Sequence, residues 1–333
     1  MEKIQRRIKG VIIGCGKISG YFDEKIKYDK SSIYSYSSAI FSSDFLKIEG
    51  CVDINEKKAK KISDLFNIPF YFKDYSEALK ALKPEFVIIA TPDQTHFEIT
   101  KQILISSNCP KLIVVEKPIC FSLLEFQELK QLMNLKETQI IINHSRRFNN
   151  RFKNLKQKIK NQIFGNPFRL DIYTYGEWKK NGIHIIDTLV YLFDSQIIIN
   201  EIKIEKTKTK IKTSEWTDIL LRISDLFIVN INYVPEKYYQ LFEMDFKFEN
   251  ARINFQDFEQ RVFVEKKTTN QLKENILELS KNTLGDQKSS NMANLIEEIE
   301  HFFQNKTSLE EYSINSIEKS MKLYFKIIPY YEN

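Results

Sequence analysis

The sequence predicts an α/β plus α+β chain: a doubly wound parallel sheet over residues 1–145, then a mostly antiparallel open sheet with helices on one face over residues 146–333. Three observations carry this reading. Short β-branched runs alternate with amphipathic helices up to about residue 145, as a parallel sheet covered on both faces requires. From Phe168 onward the segments alternate apolar and polar residues, as in a mostly antiparallel sheet with one buried face. The 333 residues exceed one ordinary core and suit two domains of ~100–200 residues each. The C-terminal helices are free in this scheme to pack back on the first domain.

The first strand is the run Val11-Ile12-Ile13. Glycine is scarce, 9 in the chain where average usage would give about 23, yet Gly14, Gly16 and Gly20 follow this run directly. A buried strand ending in a glycine turn opens a phosphate-binding βαβ unit. Gly14 allows the tight turn, and Gly16 lets a pyrophosphate come close to the N–H groups of the next helix. Gly14, Cys15, Gly16, Lys17 and Ile18 are thus candidate cofactor residues. Ser19 stands at the usual third glycine and is small enough for close packing. A plain strand-to-helix turn is the other reading of this segment.

Leu46–Val52 is the second strand, ending in Asp53. An acidic residue there accepts the ribose hydroxyls of an adenosine half and favours NAD, while Lys57 nearby leaves NADP open. Gly14 and Asp53 lie 39 positions apart, against roughly 20 in the minimal unit, so Tyr21 to about Ser32 reads as an insertion. Helices at Ile33–Ser43, Glu56–Phe66, Tyr75–Leu82, Gln94–Ser106 and Leu123–Asn134 alternate with strands at Phe70–Phe72, Phe86–Ile89, Leu112–Val115 and Gln139–Ile142. Six strands make the dinucleotide-binding Rossmann fold.

Ligands of such sheets bind beyond the carboxyl ends of the strands. Those ends read Ala90-Thr91-Pro92-Asp93-Gln94-Thr95-His96, Glu116-Lys117-Pro118 and Asn143-His144-Ser145-Arg146-Arg147-Phe148. With the glycine turn and the later Gly182-Ile183-His184-Ile185-Ile186-Asp187, they resemble the Gfo/Idh/MocA oxidoreductase family, in order and over residues ~8–195. The resemblance implies a nicotinamide cofactor contacted by Thr91, Pro92, Glu116 and Lys117, with Lys117 catalytic. A lysine beside an oxidised nicotinamide has its charged form disfavoured. The Lys117–Pro118 bond is a candidate cis peptide. A solvated charge is the bland alternative for Lys117.

The resemblance also makes His184 catalytic, with Asp187 three positions on and on the same helix face to orient it. Asn181 and Asp187 join it as substrate-binding candidates; a helix-terminal histidine contacting backbone is the alternative. Many family members carry an aspartate four residues before this histidine, where this chain has Lys180. The neighbouring Asn181-Gly182 resembles branches of sugar-nucleotide and surface-polysaccharide biosynthesis. His96 reads as structural or cofactor-contacting. Arg147 could meet a substrate carboxylate or phosphate or form an interdomain salt bridge.

In the second domain, strands are expected at Phe168–Tyr175, Ile197–Lys206, Asp218–Ile223, Phe227–Val234, Leu241–Phe248, Ala251–Phe255 and Arg261–Lys266. An apolar helix Ile185–Phe193 opens at Asn181–His184, and helices at Ser290–Gln304 and Ile314–Ile327 close the chain. Phe227, Tyr233, Phe242, Phe246, Phe248, Phe255 and Phe263 suggest an apolar sheet face for a homodimer or homotetramer.

Composition excludes other classes. The excess of 50 Lys+Arg over 44 Asp+Glu is diffuse, so no nucleic-acid partner is expected. Val11–Ile13 is too short an apolar run for a signal peptide or membrane helix. Cys15, Cys51, Cys109 and Cys120 lack metal-ligand spacing and read as reduced thiols, so no metal and a cytoplasmic location are expected. The function expected is NAD(P)-dependent hydride transfer to or from a secondary hydroxyl of a sugar, nucleotide-linked or acidic. A catalytically silent NAD-binding regulatory or scaffold protein is the alternative.

Overall fold

The computed structural model describes residues 6–23, 33–176, 178–193, 203–211, 214–223, 227–234, 236–281 and 283–328. The chain forms two compact units, residues 1–149 with 287–318, and residues 150–286 with 319–333. Segment 287–318, expected in the second domain with its helices able to pack back, clusters with the first.

The first unit holds six parallel strands: β1 (Ile8–Ile13), β2 (Leu46–Val52), β3 (Phe70–Phe72), β4 (Phe86–Ile89), β5 (Leu112–Val115) and β6 (Gln139–Ile142). Their order is β3-β2-β1-β4-β5-β6, so the crossover direction reverses between β1 and β4, where such sheets bind ligands. Five helices alternate with the strands: α1 (Tyr36–Phe41), α2 (Glu56–Phe66), α3 (Tyr75–Leu82), α4 (His96–Ile105) and α5 (Leu123–Asn134). Side chains of Asn55 and Asp74 cap α2 and α3, and Ser122 with Glu125 forms a capping box on α5. The insertion largely falls on residues 24–32, outside the described residues.

The returning segment completes this unit's core. Helix α8 (Asn291–Phe303) buries Met292, Leu295, Ile296 and Ile299 in the same cluster as Ile12, Ile88 and Val114. Tyr312 stacks on Phe148 at 4.4 Å, and the Ile314 N–H donates to the Ile140 carbonyl, which covers the β6 edge.

The second unit carries eight strands in the order β14-β13-β12-β11-β7-β10-β9-β8. They are β7 (Pro167–Tyr175), β8 (Lys203–Ile211), β9 (Ser214–Ile223), β10 (Phe227–Val234), β11 (Glu243–Phe248), β12 (Ala251–Gln256), β13 (Arg261–Thr269) and β14 (Asn275–Leu279). All described pairings are antiparallel except β7–β10. The strand expected at Ile197–Lys206 lies partly outside the described residues, and the described strand begins at Lys203. Sequence reading passed over β14 and also over helix α6 (Asn150–Lys160), which buries Phe152, Leu155 and Ile159.

Helix α7 runs from Trp178 to Phe193, seven residues earlier than the expected Ile185, so His184 sits mid-helix rather than at its opening. Gly182 lies within this helix and makes room for a neighbouring ring. A Cβ there would meet the Trp178 ring at 2.4 Å. Trp178 packs in turn on Tyr324 of α9 (Glu318–Ile327).

The sheet aromatics also differ from expectation. Phe227, Phe242, Phe246, Phe248 and Phe255 are buried within the unit. Phe255 stacks on Phe152 of α6, and Phe227 and Phe246 meet Phe193 of α7. These five belong to the unit's own core, whereas Tyr233 is half-buried and Phe263 is exposed. On alternate residues, ion pairs join Arg169, Asp171, Lys247, Asp245, Arg252 and Glu265 across four strands.

Candidate active site

At the carboxyl edge of the first sheet, backbone bonding runs one residue past each strand. The N–H groups of Gly14, Ala90, Glu116 and Asn143 donate to Val52, Ile13, Ile89 and Val115 at 2.8–2.9 Å. This ladder sets the glycine turn beside the Ala90-Thr91-Pro92 segment and the Glu116-Lys117-Pro118 triplet on one edge. Gly14 has φ +94°, and a Cβ on it would lie 2.5 Å from the Ala90 carbonyl oxygen. Only glycine fits so tight a turn. Gly16 differs: a Cβ there would have nothing within 4 Å. The turn is therefore open on the side where a pyrophosphate would approach, and the fit to a dinucleotide is good.

Ser19 is fully buried and its hydroxyl donates to the Gly14 carbonyl, so it braces the turn in place of a third glycine. Cys15 is buried, Ile18 half-buried and Lys17 exposed. Asp53 holds the turn to the end of β2. Its Oδ2 accepts from the Cys15 N–H at 2.9 Å and its Oδ1 from the Asn55 N–H at 2.8 Å. Each carboxylate oxygen retains acceptor capacity for a ribose hydroxyl.

His96 is wholly buried at the start of α4, its ring nitrogens 2.8 Å from the carbonyl oxygens of Thr91 and Pro118. It thus joins two strand-end loops. Thr95 donates from its hydroxyl to the Thr91 hydroxyl at 2.7 Å. The Lys117–Pro118 peptide is cis. Lys117 is half-buried. Burial pushes its ammonium below the usual lysine range, with Arg146 adding to the effect and the carboxylates of Glu116 and Asp93 opposing it.

Two residues that sequence reading left without a role meet Glu116. Tyr36, fully buried, donates from its hydroxyl to Glu116 Oε1 at 2.7 Å. Asn143 Nδ2 donates to the same oxygen at 2.7 Å and lies 3.0 Å from Tyr36 Oη. The signal for Asn143 was its place just after β6. Nothing local marked Tyr36, which follows the insertion.

Arg147 is 3% exposed, and its guanidinium donates to the Glu311 carbonyl at 2.6 Å and to the Ser316 hydroxyl at 3.1 Å. The structure thus engages it in binding segment 287–318 within the first unit, where the sequence offered a substrate anion or an interdomain salt bridge.

In the second unit His184 is half-buried on α7. Asp187, 2% exposed, accepts from the Ser320 hydroxyl at 2.9 Å. Asn181 donates to the Tyr175 carbonyl at 2.6 Å, fastening α7 to the end of β7. The Lys180 side chain lies outside the described part of the structure. Among the described residues no group of histidines, cysteines and carboxylates could hold a metal ion.

Residues 8–144 match the profile of the oxidoreductase family with an NAD-binding Rossmann fold, GFO_IDH_MocA. An uncharacterized oxidoreductase of Bacillus subtilis, YrbE, is 28% identical over 127 residues, 38% of this chain and 36% of that protein. Glucose-6-phosphate 3-dehydrogenase of the same organism is 24% identical over 209 residues, 56% of this chain and 58% of that protein. The chain thus spans between about a third and three-fifths of these curated relatives. The WlbA dehydrogenase of Bordetella pertussis, solved with NADH and UDP-GlcNAcA, superposes with a TM-score of 0.71. It is 13% identical, over 98% of this chain and 95% of that one, a likeness of fold. Sequence match and strand-end geometry agree: residues 8–144 are similar to the NAD-binding Rossmann-fold domain of the Gfo/Idh/MocA oxidoreductase family.

Proposed function

We propose that this protein is an NAD(P)-dependent oxidoreductase acting on a secondary hydroxyl, or its ketone, of a sugar bearing a phosphate or nucleotide. The observation that carries the reading is Lys117, half-buried on the strand-end edge that also holds the open glycine turn. When bound, the nicotinamide supplies or accepts the hydride. Gly14, Gly16 and the turn's N–H groups would hold the pyrophosphate, and Asp53 the adenosine ribose. Lys117 exchanges the hydroxyl proton at its Nζ. Burial disfavours its charged form, so the neutral amine that accepts a proton is reached at lower pH than for a solvated lysine. His184 is the second proton-handling group in this proposal. The sugar assignment draws on the activity named for the B. subtilis relative and on the ligand of the B. pertussis structure.

NADH fluorescence, followed on adding sugar phosphates and UDP-sugars, tests this. Turnover of one such compound, lost in Lys117→Ala while NADH still binds, is the expected result. NADH binding with no turnover across the panel favours the silent regulatory or scaffold reading, which Lys180 in place of the common aspartate motivates. Absence of coenzyme binding refutes both. A homodimer or homotetramer built through the second sheet belongs to the proposal; sedimentation reads it directly.

A further inference from the structure

We propose that Tyr36 and Asn143 are positioning residues that clamp the Glu116 carboxylate beside Lys117 and so set the proton affinity of that lysine. This rests on the role given to Lys117 above. Three elements converge on one oxygen: Tyr36 from the first residue of α1, Asn143 from just past β6, and Glu116 from just past β5. Both donors reach Oε1 at 2.7 Å, and they lie 3.0 Å from each other.

The geometry is held from behind. The N–H groups of Tyr36 and Ser37 donate to the Ile18 and Ser19 carbonyls at 3.0 Å, pinning α1 to the glycine turn. The Ser35 hydroxyl accepts from the Ser38 N–H and caps the helix. The Glu116 and Asn143 N–H groups are fixed in the strand ladder. The chain leaving the cofactor turn and re-entering after the insertion therefore delivers a buried hydroxyl to the residue next to Lys117. A buried phenol is a costly group to keep unless it has work as a donor. Here burial, and then the Glu116 charge, push its ionisation far up, so it remains a donor throughout.

Burial is the main influence on the charge of Lys117; the charged groups that modify it are the carboxylates of Glu116 and Asp93, which oppose burial, and the guanidinium of Arg146, which adds to it. Of these, Glu116 is the one fastened by two side-chain donors. Released from them, a half-buried carboxylate turns toward water, and its support for the charged form of Lys117 weakens.

The test reads the titration of Lys117 directly. The full chain is 13C-methylated at its lysines and the Lys117 resonance is assigned by its loss in Lys117→Arg. Glu116→Gln should lower the Lys117 midpoint by about 1 pH unit, the low end of the effect of a close opposite charge. Tyr36→Phe should lower it by about half as much, and should add nothing in the Glu116→Gln background, because it acts through that carboxylate. Asn143→Leu, of similar volume, carries the same expectation should Tyr36→Phe fail to fold. An unmoved midpoint in the clamp variants, or equal shifts with and without Glu116, overturns the proposal. Adding NADH separates this from the reading beneath it. If NADH leaves the Lys117 resonance unmoved while the cycle holds, the clamp stands and the active-site role of Lys117 falls.

Discussion

Replacing Gly182 with alanine sets two effects against each other. In an exposed helix the change favours folding by about 1 kcal/mol, because glycine has more backbone freedom to lose. Here the added methyl would sit 2.4, 2.5 and 2.7 Å from three atoms of the Trp178 indole, whereas carbon atoms pack at roughly 3.5–4.0 Å. The ring must retreat by about 1 Å. It is 1% exposed, with Tyr233 and Tyr324 against it at centroid distances of 6.5 and 6.4 Å. Overpacking of this kind costs about 1–3 kcal/mol, and the confinement of the ring places it in the upper half of that range. The net loss is about 1–2 kcal/mol. For a unit of roughly 150 residues this lowers Tm by about 2–8 °C. Calorimetry of the full chain measures it. In a Trp178→Leu background the clash is gone, and Gly182→Ala should then stabilise. A rise in Tm on introducing alanine beside the intact indole would refute the argument that this glycine is kept for packing.

Three further outcomes follow from the structure. Lys117→Met should stabilise the protein at neutral pH. The folded chain holds this lysine below its ordinary 10.5, so it binds fewer protons than the unfolded chain between the two values. Stability of the parent therefore rises with pH across that window, and the variant's advantage, about 1.4 kcal/mol per unit of depression, fades toward pH 10.5; urea titrations at several pH values check this. Gly14→Ala, strained at φ +94° and 2.5 Å from the Ala90 oxygen, should weaken NADH binding more than tenfold by calorimetry and cost about 2 kcal/mol or more. Asp171→Asn concerns a carboxylate whose burial opposes ionisation. Hydrogen bonds from Arg169, Lys247 and Asn230 outweigh that and hold it well below the ordinary 3.8. Its stabilisation is complete above that ordinary value and is lost as pH falls through the folded one. The variant should be less stable by roughly 1–2 kcal/mol at pH 7, discounted for solvent on this face, and the gap should close in strong acid.

The parallel sheet was legible because its strands are uninterrupted apolar runs of four, such as Phe86–Ile89 and Leu112–Val115, and little else in a chain reads that way. The strand-end residues were legible because the fold dictates where ligands bind. Helix α7 was placed late because only Ile185–Phe193 reads as an apolar run, whereas its first turns carry Lys179, Lys180, Asn181 and Gly182. Helix α6 had a visible 152, 155, 159 spacing, hidden among its lysines. Arg147 and Tyr36 were opaque for a different reason. Their partners, Glu311, Ser316 and Glu116, are far off in sequence, and a single chain carries no local mark of such distant contacts. The burial of the second sheet's aromatics depended likewise on which helices came to cover them.

The return of residues 287–318 to the first unit has a consequence for how the polypeptide is made. A ribosome releases the nucleotide-fold half of the sequence early, yet Leu295, Ile299 and Tyr312 of its interior emerge only after the whole intervening unit has been synthesised. At about 5–20 residues per second, the nascent sheet waits on the order of ten seconds or more with its last wall missing. A gene shortened before codon 287 would leave that wall permanently open, exposing aliphatic surface that chaperones and proteases recognise.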